Sequence, residues 1–176
     1  MAQPATLHGF HLDLADLDRG VFETLDLRVA RHPSETAPHL ILRVIAYALE
    51  HCPGLAFGRG ISTDEAALTA ADDTGHVHLW VDVGAPSADR LHKATKIARD
   101  VAVYTTRDLT QLATALHGIH RASAVRLIGL PEAFVADLAS RLDRRNDWGV
   151  QLSEGTLYVT VGDATCEAPL ERRTLV

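Results

Sequence analysis

The sequence predicts an α/β protein, a mixed β-sheet flanked by helices, folded as a single domain over residues 1–176. Two observations lead there. Val77, Leu79, Val81 and Val83 alternate with His78, Trp80 and Asp82, the period of a strand with two chemically different faces. Between residues 35 and 143, segments of this kind alternate with segments whose apolar residues recur at helical spacing. Strands separated by helices pair in parallel, and further strand-like segments at both ends of the chain make the sheet mixed.

Taken in order, residues 5 to 15 and 22 to 31 alternate loosely, with the turn-rich Ala15 to Gly20 between them, and read as two strands. Pro33 ends the second strand, and Ser34 or Thr36 can cap the helix that follows, which tolerates Pro38 in its first turn. Leu40, Ile41, Val44, Ile45, Ala48 and Leu49 form its apolar stripe, and Glu35, His39 and Arg43 fall on another side. Pro53-Gly54 ends it. Leu55 to Ser62 reads as a strand, followed by an irregular Ala-rich segment and then by the strand of residues 77–83. Gly84 and Pro86 stop that strand, and Ser87 caps a helix over roughly 87 to 99. A short buried strand at Val101–Tyr104, a helix marked by Leu109, Leu112 and Leu116, and a strand from Ser123 to Leu130 follow. Pro131 opens a helix to about Asp143, Gln151 to Val161 forms a hairpin turning at Glu154-Gly155, and the last dozen residues read as a tail or edge strand.

Composition narrows the function classes. Of 176 residues 47% are hydrophobic, enough for one domain to fill its core. Seventeen basic against 23 acidic side chains give a net charge of −6, so no global positive field holds a polyanion, and any nucleic-acid contact is local. Cys52 and Cys166 lack CxxC spacing, which argues against a disulfide framework or zinc knuckle and fits a reducing cytoplasm. Neither a leader-like N-terminus nor an apolar run of membrane-spanning length is visible, so no membrane association is expected. The motifs of serine hydrolases, zinc proteases and P-loop enzymes are missing, and the glycines at 58 and 60 lack the third glycine and the Lys-Ser/Thr of a phosphate loop.

What remains is a set of carboxylates. Glu35 lies at a helix start, Asp64 and Glu65 beyond one strand, and Asp82 at the end of the next. If those strands are neighbours, the carboxylates can share a hard divalent cation, Mg²⁺ or Mn²⁺, whose bound water attacks phosphorus while a lysine stabilises the developing charge. Carboxylates at strand ends and helix starts are also ordinary surface features. Lys93 falls away from the stripe of Leu91, Ala94 and Ala98, which favours a solvated side chain. Arg31 and His32 can bind phosphate at a helix N-terminus, or can pair with Glu35.

The string Arg31-His32-Pro33-Ser34-Glu35-Thr36, then Arg59-Gly60 with Asp64, then Leu79 to Gly84 and the helix carrying Arg90 and Lys93, resembles the YaeQ family of bacterial proteins. The resemblance runs from the first strand to the hairpin near residue 160 and implies a restriction-endonuclease-like, PD-(D/E)XK core with extra strands at both ends. Carried onto this chain, the nuclease pattern makes Glu35, Asp64 and Asp82 the metal ligands, with Arg31, His32, Arg59 and Arg90 facing substrate. The lysine expected two residues after Asp82 is Gly84, so Lys93, with Lys96 as substitute, becomes the migrated amine. Two functions follow from the resemblance: a Mg- or Mn-dependent nuclease on nucleic acid, or a module that keeps the fold without the chemistry and binds nucleic acid or a protein partner.

Overall fold

The computed structural model describes residues 3–59 and 64–176. Strands β1 (Thr6–Asp16) and β2 (Val21–Arg31) form an antiparallel hairpin paired from Thr6↔Arg31 to Asp16↔Val21. Helix α1 (Ala37–Leu49) follows, with Thr36 accepting from the His39 N–H as its cap and a proline in the first turn. Then come β3 (Leu55–Phe57), β4 (Leu68–Ala71) and β5 (Val77–Val83), an antiparallel run, and α2 (Ala88–Ile97), capped by Ser87. The chain continues through β6 (Asp100–Thr105), α3 (Leu109–Ala115), β7 (Val125–Gly129) and α4 (Glu132–Ser140). It ends in β8 (Arg145–Ser153), β9 (Thr156–Val161), β10 (Ala164–Pro169) and β11 (Glu171–Thr174).

The architecture is mixed α/β, but with two mixed sheets in place of the single sheet that the sequence suggests. One is five-stranded, in the order β10-β9-β8-β1-β2, and the other six-stranded, β11-β7-β6-β5-β4-β3. Of the terminal strands only β11 extends the central sheet, as an edge antiparallel to β7 from Glu171↔Gly129 to Thr174↔Arg126. The others build the second sheet, because β1 takes β8 as its parallel neighbour from Gly9↔Arg145 to Asp16↔Leu152. Period-two alternation fixes which face of a strand is apolar but not which edge it joins.

Two cores result. The larger packs Phe10, Leu12, Trp148 and Val150 of the five-stranded sheet against α1, α4 and one face of the six-stranded sheet, where Leu79, Val81, Ala102, Tyr104 and Ile128 point. Phe10 and Trp148 meet edge to face at 5.3 Å. The opposite face of the six-stranded sheet carries Trp80, Val101, Val103, Val125 and Leu127 and is covered by Leu91 and Ala94 of α2 with Leu109 and Leu112 of α3. Strand β5 is therefore buried on both faces, and its even residues look toward α2.

Two local expectations change. The Ala-rich segment holds a strand, β4, and the strand expected over Leu55–Ser62 ends at Phe57, its residues 60–62 lying outside the described residues. Gly58 follows at once, its N–H donating to the Ala67 carbonyl, and a Cβ there would stand 2.2 Å from the Ala66 carbonyl oxygen. Only glycine permits that approach. Among the described residues no helix is long and apolar enough to cross a membrane.

Candidate functional site

Asp82 sits near the C-terminal end of β5 on the face toward α2 and is 2% exposed. Its two oxygens accept from Arg90, Oδ2 from Nε at 2.8 Å and Oδ1 from a terminal nitrogen at 2.8 Å. The same guanidinium donates to the Glu65 carbonyl and lies over the Trp80 ring, 5.8 Å from its centre. A planar fork of this kind saturates a carboxylate, and the aromatic face beneath it adds a cation–π contact. The chain makes the fork possible by turning sharply at Gly84, whose φ of +95° belongs to glycine. Ser87 then caps α2, accepting from the Arg90 N–H, and so places Arg90 in the first turn beside the strand end. The glycine at the nuclease pattern's lysine position thus has a backbone reason.

Glu35, 3% exposed, is closed in the same way. Arg43 Nε donates to Oε1 at 2.7 Å and a terminal Arg43 nitrogen to Oε2 at 2.8 Å, while His39 Nδ1 lies 2.7 Å from Oε1. Burial pushes this carboxyl's pKa up, and the hydrogen bonds from His39 and Arg43 outweigh it, leaving the pKa below the ordinary glutamate value. Arg43 also donates to the Ala30 carbonyl and its guanidinium lies over Phe57, 5.7 Å from the ring centre, so the cluster belongs to the α1 side of the six-stranded sheet.

Of the other candidates, Asp64, Arg90 and Lys93 line one groove of about 290 Å³ with Trp80, Ser87, Asp89 and Ile97. An adjoining cavity of about 300 Å³ shares Asp64 and Trp80 and includes Arg59 and Glu65. Lys93 is exposed, as its place on the helical wheel implies, yet it borders the same groove as Asp64. Trp80 is 7% exposed, and its buried Nε1 has no hydrogen-bond partner among the described residues.

Glu35, Arg31, His32 and Lys96 are not among the residues lining these two cavities. Arg31 Nε donates to the main-chain carbonyl of Glu35 at 3.0 Å, and His32 Nδ1 accepts from the Ser34 N–H at 3.2 Å, so both brace the loop before α1.

The expected shared metal centre of Glu35, Asp64 and Asp82 is not assembled: among the described residues no three His, Cys, Asp or Glu side chains form a group able to hold a metal ion. The reason is topological. Asp82 projects from β5 toward α2, whereas Glu35 is fixed to α1 on the opposite face of the same sheet. The donor set is unsuited as well, since a cation at Asp82 or Glu35 would have to displace a guanidinium already bonded to both oxygens.

Two roles escaped the sequence. Arg43 is the main partner of Glu35, and the spacing of Glu35, just ahead of the cap, with His39 and Arg43 on α1, four residues at a time, carries that signal. Arg90 serves as the counter-ion of Asp82, a pairing from strand to helix across a turn that no single periodicity marks.

Comparison with known proteins agrees with this architecture. The family model described as YaeQ protein matches residues 1–170. The "Uncharacterized protein YaeQ" of Escherichia coli (strain K12) is 37% identical over 106 residues, a match covering 60% of this chain and 59% of that protein. Its counterpart in Salmonella typhi is 38% identical over 105 residues, 59% of this chain and 58% of that protein. Among solved structures, the YaeQ protein from Pseudomonas syringae superposes with a TM-score of 0.89 at 35% identity, covering 98% of both chains. That from Xanthomonas axonopodis pv. citri gives 0.90 at 28% identity, over 98% of this chain and 99% of the other. With a matching family model over nearly its whole length and two such folds superposing on it, the chain belongs to the YaeQ family.

Proposed function

We propose that this chain is a non-catalytic binding module on a restriction-endonuclease-like core, and that it takes nucleic acid along the groove between β4, β5 and α2. Support for the core comes from the succession α1-β3-β4-β5-α2-β6, in which three antiparallel strands are followed by a helix and a parallel strand in one sheet. The observation that carries the non-catalytic reading is the closure of Asp82 by Arg90, matched by that of Glu35 by Arg43. Each carboxylate is spent on a buried ion pair. Arg59 and Lys93 border the two adjoining cavities as exposed cations, with Asp64, Glu65 and Asp89 on the same walls, so the contact they offer a polyanion is confined to these two side chains.

Labelled single- and double-stranded DNA and RNA, incubated with the protein in Mg²⁺ or Mn²⁺, test this. Binding without cleavage is expected, weakened by Arg59→Glu and Lys93→Glu and retained by Asp64→Asn. Cleavage that disappears in Asp82→Ala would overturn the non-catalytic assignment, and no binding to any of the four would remove nucleic acid as the partner.

A second reading, metal-dependent phosphodiester hydrolysis with Asp64, Asp82 and Lys93, is favoured by the single groove that Asp64 and Lys93 share beside Arg90. It requires Arg90, bonded to both Asp82 oxygens, to release them to the cation.

A further inference from the structure

Among the described residues the two sheets end in four edge strands, and one differs from the others. Strand β3 has three residues, β11 four, and β10 six with a terminal Pro169, whereas β2 runs eleven residues without proline. It pairs on one side with β1 alone. Along its other side, among the described residues, the only backbone group with a partner is the Ala30 carbonyl, which accepts from Arg43. A long edge of this kind is a template for another strand unless its side chains prevent it.

Here the side chains direct the pairing. Asp26 and Arg28 stand exposed on the outer face, while Leu25, Leu27 and Val29 face the core and are buried. Asp26 Oδ1 lies 2.6 Å from His11 Nδ1 on β1 and its side chain stays 80% exposed. Placing Leu27 on a two-fold axis sets Asp26 against Arg28 of a second copy, and Arg28 against its Asp26. The same register sets Glu23 against Arg31 at each end and Leu25 against Val29, so charged residues meet opposite charges and apolar residues meet apolar ones. Moving the axis one residue either way sets Asp26 against itself or Arg28 against itself. Phe22, 65% exposed, then faces His32 of the second copy just beyond the strand.

We infer that β2 is the interface of a symmetric dimer, in which β2 pairs antiparallel with β2 of a second copy about Leu27 and joins the two five-stranded sheets into one of ten strands. The pairing is independent of the groove beside α2.

Sedimentation equilibrium at low salt tests it with the full chain. The wild type is expected to dimerise, and Arg28→Asp to weaken the dimer about tenfold or more by placing carboxylates together at two positions. The double swap Asp26→Arg with Arg28→Asp restores it, because the opposite charges are merely exchanged. Both positions are exposed, and circular dichroism confirms that each variant is folded. A wild type that stays monomeric, a dimer indifferent to Arg28→Asp, or a swap that fails to rescue would each overturn the inference.

Discussion

A guanidinium on each side of one sheet decides what the candidate carboxylates can do. Arg90→Ala leaves Asp82 buried without its counter-ion. The expected loss in urea denaturation is about 3 kcal/mol, toward the lower end for a buried pair because the Arg90 side chain is 22% exposed. Adding Asp82→Asn to that variant recovers part of the loss, since a neutral amide is cheaper to bury than a lone charge. An equal loss in the single and double variants would show that the fork matters only through packing.

Glu35 gives a pH signature. Its carboxyl sits below the ordinary value of 4.5, held there by His39 and Arg43 against the opposing effect of burial. A depressed folded-state pKa stabilises the fold fully above that ordinary value, and the contribution is lost as pH falls through the lower, folded-state one. Unfolding free energy measured from pH 6 down to pH 3 therefore declines less steeply in Glu35→Gln than in wild type. Parallel curves would sink the assignment.

At the scale of elements, the turn after β5 fixes where a basic side chain can stand. A Cβ built on Gly84 meets nothing within 4 Å, so the obstacle to another residue is the φ of +95° alone. Gly84→Ala and Gly84→Lys are expected to lose similar stability, about 1 kcal/mol or more, as judged by thermal unfolding. A stabilised Gly84→Lys variant would contradict the backbone explanation.

The elements also show where sequence reasoning holds. The stripe of α1 and the alternation of β5 were plain because each has a large apolar face with a definite period. Strand β4 was not, since Ala66-Ala67-Leu68-Thr69-Ala70-Ala71 offers one β-branched residue and no aromatic, and its burial comes from its neighbours. Strand β10, with a glutamate and a proline among its six residues, is defined by its pairing to β9.

For the whole molecule, the sequence shows which residues are chemically able and the layering decides which of them meet. Asp64, Arg59, Arg90 and Lys93 border two adjoining cavities, which their order along the chain suggests once β4 and β5 are neighbours. Glu35 does not join them, because α1 packs on the other face of the six-stranded sheet, and nothing in a linear pattern states which face a helix takes. The tie from α1 to the sheet is itself polar: Glu50, just past the helix, accepts from the buried Tyr104 hydroxyl at 2.8 Å and from Arg126 at 3.0 and 2.9 Å. That network fixes the helix, and with it the distance of Glu35 from the groove.

The most direct test of this arrangement is the anomalous difference density of crystals soaked in Mn²⁺. The structure predicts no manganese on Asp82 or Glu35, with both guanidinium forks intact. A manganese ion bridging Asp64 and Asp82, with Arg90 turned out of its fork, would contradict it.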